Sequence, residues 1–94
     1  MKIQHKTYGY DFDLPEILQG ALEIWEKEIE GITIGDIRLN VFSGMVLRAG
    51  IKAGWIPAEI ATLENVSQMN PGKVVFLSRR ISEAVRQARE IPPD

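Results

Sequence analysis

Cysteine is absent from the chain, so disulfide staples, thiolate metal sites and cysteine nucleophiles are excluded together. Histidine occurs once, as His5, close to the N-terminus and away from any carboxylate cluster at metal-ligand spacing, and it reads as a solvated side chain. No glycine-rich phosphate loop and no nucleophile elbow can be found, and the paired carboxylates Glu26/Glu30 and Glu59/Glu64 read as solvated helix faces. No catalytic residue, metal ligand or cofactor is therefore assigned, and the chain is not expected to be an enzyme. The opening MKIQHKTYGYDFD lacks the apolar run of a secretory signal, and nowhere do eighteen apolar residues follow one another without interruption. A cytoplasmic protein without a membrane partner is expected.

What the 94 residues do contain is 45% hydrophobic and 26% charged, the composition of one small folded domain spanning 1–94. The net charge of −2 conceals a split. Residues 1–36 carry eight acids against three lysines, a net −5, whereas residues 37–94 carry a net +3. Such a separation favours contact between the two halves, within one molecule or between neighbours, and it steers encounter more than it sets affinity.

The most informative segment is IGDIRLNVFSGMVLRAGIKAG, residues 34–54, whose apolar residues cover most of a helical surface. Arg38, Asn40, Ser43, Arg48 and Lys52 leave only a thin polar strip, so this helix is expected at the centre of the fold. It can start at Thr33 or Asp36 and end at Gly54, while Gly44 and Gly50 mark places where another backbone comes close. An earlier helix is expected from Asp13-Leu14-Pro15-Glu16, with Asp13 as cap, a core stripe of Leu14, Ile17, Leu18, Ala21, Leu22, Trp25 and Ile29, and Gly31 at its end. Residues 1–12 read as a loosely held extended arm. Pro57 to Glu64 reads as a short helix, and Asn70-Pro71 opens a last helix running to about Glu90, stopped by Pro92-Pro93. That helix offers Val74, Leu77, Ile81, Val85 and Ala88 to a core and sets the pairs Arg79/Glu83 and Arg86/Glu90 one turn apart. Together these segments predict an all-α fold, a small helical bundle of three longer helices and one short helix with a short extended N-terminal arm.

Surfaces then carry the functional reading. Trp25, Phe42, Trp55, Ile56, Met69 and Phe76 form a large apolar stock for so short a chain, and Ile24, Val75 and Phe76 fall off the main stripes of their helices. Trp55, Ile56, Met69 and Phe76 are taken as a candidate protein-binding patch, which predicts self-association or a complex with a hydrophobic helical partner. The alternative is a small DNA-binding regulator using Lys73, Arg79, Arg80, Arg86 and Arg89 of the last helix. Against nucleic acid stand the isoelectric point near 5.4, the acidic first helix and Glu83 within the basic face.

One resemblance sharpens the first reading. Leu47-Arg48-Ala49-Gly50-Ile51-Lys52-Ala53-Gly54-Trp55-Ile56, then Met69-Asn70-Pro71-Gly72-Lys73-Val74, then Arg86-Gln87-Ala88-Arg89-Glu90-Ile91-Pro92-Pro93 resemble small proteins encoded among the tail genes of long-tailed bacteriophages, some of them tail assembly chaperones. The similarity covers roughly residues 47–94. It implies a mainly helical, non-enzymatic virion assembly factor in the host cytoplasm that binds the hydrophobic tape measure protein and brings tail tube subunits to it. The family carries no catalytic residues to transfer.

Overall fold

The computed structural model describes residues 1–30 and 39–90, the side chains of 39–41 excepted. Gly31, the start of the central helix at Thr33 or Asp36, and the stop at Pro92-Pro93 therefore lie outside the described residues. In chain order the elements are β1 (Lys2–His5), β2 (Tyr10–Asp13), α1 (Gln19–Ile29), α2 (Leu39–Lys52), a 3-10 turn (Val66–Gln68) and α3 (Pro71–Arg89).

The expected all-α bundle is corrected first at the N-terminus. Residues 1–12 are not a loose arm. β1 and β2 form an antiparallel hairpin in which Lys2 faces Asp13, Ile3 faces Phe12, Gln4 faces Asp11 and His5 faces Tyr10. Alternation places Ile3, Tyr10 and Phe12 on the inner face, where Ile3 and Tyr10 are buried. Gly9, at φ +72°, supplies the left-handed residue that closes the turn, donating to the Lys6 carbonyl at 3.2 Å. The α-amino group of Met1 donates to the Leu14 carbonyl at 3.2 Å, and the Leu14 amide returns a bond to Met1 at 2.7 Å.

This pairing also explains why α1 starts later than Asp13. Asp13 is committed to β2, and Pro15 biases Leu14 towards an extended backbone, so helix begins only at Gln19, after an uncapped, extended Leu18. Leu14 still reaches the core, whereas Leu18, expected there, is 62% exposed.

The central helix forms as expected and packs against both α1 and α3. Val46, Leu47 and Ala49 are buried, as is Ser43, which therefore leaves the polar strip assigned to it. At Gly54, φ +85°, the chain turns left-handed. The Gly54 amide donates to Ile51 and the Trp55 amide to Gly50, both at 3.0 Å, a closing arrangement that returns the residue after the glycine towards the helix. Trp55 is consequently buried against Trp25, their rings 6.2 Å apart.

The short helix expected over 57–64 is replaced by one turn. Ile60 and Ala61 both donate to the Pro57 carbonyl. Beyond them, Thr62 and Asn65 satisfy each other: the Thr62 amide donates to Asn65 Oδ1 at 2.9 Å and the Asn65 amide to Thr62 Oγ1 at 3.3 Å. Such side-chain bonds compete with helix propagation. α3 then opens as expected, with Pro71 in its first turn and Asn70 Oδ1 accepting the Gly72 amide at 2.7 Å. Its buried face, Val74, Leu77, Ser78, Ile81, Ala84 and Val85, completes the core. The described residues thus form three helices with a β-hairpin packed onto them.

Candidate functional site

The four residues expected to form one contact patch are not brought together. Trp55 and Ile56 are buried, the former by the helix-closing turn at Gly54. Phe76 is half-buried under the hairpin, edge-on to His5 at 4.8 Å and stacked with Tyr10 at 6.1 Å. His5 is not the solvated side chain expected. It stacks on Tyr8 at 3.9 Å and its Nδ1 accepts the Tyr8 amide at 3.1 Å. The off-stripe aromatic of α3 is therefore covered by the chain's own N-terminus.

Met69 behaves differently. It lies between the 3-10 turn and α3 and lines an open groove of about 220 Å³ together with Val66, Ser67, Pro71, Val74, Gly44 and Arg48. The apolar part of the lining comes from the 3-10 turn and the first turn of α3: Val66 and Val74, both buried, half-buried Met69 and exposed Pro71. Arg48, one turn along α2, folds back over Gly44, where a Cβ would lie 3.3 Å from its Nη1, a tight approach that a small shift of the flexible guanidinium relieves. Gly44 thus admits a side chain of its own helix rather than a neighbouring backbone. Among the described residues no carboxylate lies within ion-pair distance of Arg48. The result is a mainly apolar trough, with exposed Ser67 on its wall and one cation that has no carboxylate beside it among the described residues, suited to an apolar segment that brings a carboxylate.

Of these groove residues only Met69 belonged to the expected patch. The signal for the rest was the spacing Gly44 to Arg48, a glycine one helical turn before an arginine, which marks where a long side chain can lie down on a helix.

The basic residues of α3 divide. Arg80 donates through Nη1 to Glu83 at 2.7 Å and through Nη2 to the Lys2 carbonyl at 3.0 Å, so Glu83 pairs with Arg80 rather than with Arg79. Arg89 pairs with Glu26 of α1 and lies 6.0 Å from the Trp25 ring centre. Lys73 stands over Tyr8 at 5.9 Å, leaving Arg79 and Arg86 exposed. With Lys52–Glu28 at 2.9 Å, the acidic α1 meets the basic half of the chain inside the molecule.

A larger concavity, about 680 Å³, is lined by Glu23, Trp25, Glu26, Lys27 and Ile29 of α1, by Glu30 just beyond it and by Arg89. Among the described residues no group of three or more His, Asp or Glu could hold a metal ion, and no helix is long and apolar enough to cross a membrane. No family model, curated protein or solved structure matches the chain.

Proposed function

We propose that this chain is a non-enzymatic assembly factor that holds an apolar helix of another protein in the groove between α2 and the start of α3. The observation that carries the reading is Arg48, a cation lying in an apolar trough beside Met69 with no acidic partner among the described residues. A guest helix with an aliphatic stripe and one carboxylate would lay that stripe on Met69 and Pro71, above the buried Val66 and Val74, and place its acid on the guanidinium.

The resemblance to tail assembly chaperones supplies the guest, since Arg48, Met69, Pro71 and Val74 all fall within the segments that carry it. On that reading the guest is a helix of the tape measure protein, kept from aggregating until tail tube subunits are brought to it.

Co-expression with the tape measure protein encoded in the same genome tests this. A soluble complex is expected, weakened about 10-fold or more by Met69→Asp and by Arg48→Glu, because the first wets the apolar wall and the second repels the guest's acid. Both variants should keep the wild-type fold, checked by tryptophan fluorescence. No complex, or one indifferent to both substitutions, contradicts the reading.

A further inference from the structure

The hairpin has two long edges, and they are not equivalent. Met1 and Leu14 exchange both backbone hydrogen bonds. Strict alternation in an antiparallel ladder then makes Ile3/Phe12 and His5/Tyr10 the other bonded pairs, and turns the amides and carbonyls of Lys2, Gln4, Asp11 and Asp13 outward. On the β1 side, Arg80 Nη2 already occupies the outward Lys2 carbonyl at 3.0 Å, anchoring that edge to α3. On the β2 side, no described residue bonds the outward backbone groups of Asp11 or Asp13, and both residues are exposed.

Side chains state what such an edge would accept. Asp11 and Asp13 share the solvent face of the sheet; Lys2 meets Asp11 at 3.4 Å, while Asp13 has no cation among the described residues. On the opposite face Phe12 is only half-buried, so the core ends there on an apolar shelf. A strand laid beside β2 would set one side chain against Phe12 and its neighbours against the two aspartates.

We propose that the edge of β2 takes up an extended segment of another protein, one alternating apolar with basic residues, as the third strand of the sheet. A second copy of this chain does not fit, because β2 paired with itself brings like-charged aspartates face to face. Main-chain bonds to Asp11 and Asp13 give the affinity, and the aspartates with Phe12 give the alternation. This surface is separate from the Met69 groove and does not depend on the helix-holding reading.

The test uses three acetylated, amidated peptides on the full chain: Lys-Val-Lys-Val-Lys-Val-Lys, its counterpart with every Lys replaced by Glu, and a block isomer Lys-Lys-Lys-Lys-Val-Val-Val. By NMR hydrogen exchange, the alternating basic peptide should slow the amides of Asp11 and Asp13 while leaving those of Lys2 and Gln4 unchanged. It should bind about 10-fold or more tightly than either other peptide, and Asp13→Lys should remove most of that difference. Asp13→Asn, which keeps the shape and loses the charge, should fall between. Absence of binding, equal binding of the block isomer, or binding that leaves the Asp11 and Asp13 amides unprotected would overturn the proposal.

Discussion

Gly50 shows how a single missing methyl sets the distance between two helices. A Cβ at this position would stand 2.7 Å from Ile81 Cδ1 and 3.5 Å from Cγ1, inside a fully buried contact between α2 and α3. Alanine would gain up to about 1 kcal/mol of helix propensity there, but overpacking a dense core costs about 1–3 kcal/mol. Gly50→Ala should therefore lower stability in urea, and in an Ile81→Val background, where Cδ1 is gone, the same substitution should cost less or become favourable. Equal losses in both backgrounds would mean that Ile81 is not what keeps position 50 small. The glycine was expected to mark another backbone coming close, and what stands there is the Ile81 side chain, since sequence spacing carries no information on which group of a distant helix stands opposite. Trp55 teaches the converse. Its aromatic ring suggested an exposed anchor, yet the left-handed Gly54 before it turns the chain back, and the helix-closing glycine was itself correctly read.

The hairpin is the element for which sequence reasoning failed most clearly. Ile3, Tyr10 and Phe12 do alternate, but Lys6-Thr7-Tyr8-Gly9 lacks the Asn-Gly or Asp-Gly pair that announces a tight turn, so Gly9 read as an interruption. The misplaced start of α1 followed from it, because Asp13 looks like a helix cap only while β2 is unrecognised. Helices α2 and α3 were found from strong apolar periodicity and end signals that act within the chain itself. Burial, together with the neighbouring Tyr8, holds the Tyr10 phenol above its ordinary value of 10.0. The folded state therefore keeps its proton where the unfolded chain has lost it. Stability should be full below pH 10, then decline as pH rises from there through the folded value. Urea midpoints followed up through this range should fall more steeply for the wild type than for Tyr10→Phe, and matching slopes would show that Tyr10 is not the titrating group. Asn70→Ala should separately lower stability by about 1 kcal/mol by leaving the Gly72 amide without its side-chain acceptor, as read from thermal or urea unfolding.

Taken whole, the molecule joins its acidic and basic halves through two ion pairs among the described residues. Glu26 and Glu28 of α1 meet Arg89 and Lys52, and Lys2 meets Asp11, all at exposed positions where such pairs contribute little. Raising salt well above physiological strength should hence shift the unfolding free energy by less than about 1 kcal/mol. A larger loss would mean that the acidic and basic halves are held together chiefly by charge. Arg48 differs from the exposed cations in lying in a mainly apolar groove, with no carboxylate beside it among the described residues. That groove was only partly foreseeable: Met69 was singled out as an interface residue, but the companions expected for it, Trp55, Ile56 and Phe76, serve the core and the hairpin seat instead. Which apolar residues remain open to solvent depends on tertiary packing that no local pattern encodes.

The occupancy of that groove is best measured by titrating the isotope-labelled chain with the proposed guest, an apolar helix carrying one carboxylate, and following backbone NMR shifts. The largest changes should fall on Gly44, Arg48, Val66, Met69 and Val74, and should be lost in Met69→Asp. Changes confined elsewhere, or none at saturating guest, would contradict the claim that this protein works by holding a helix between α2 and α3.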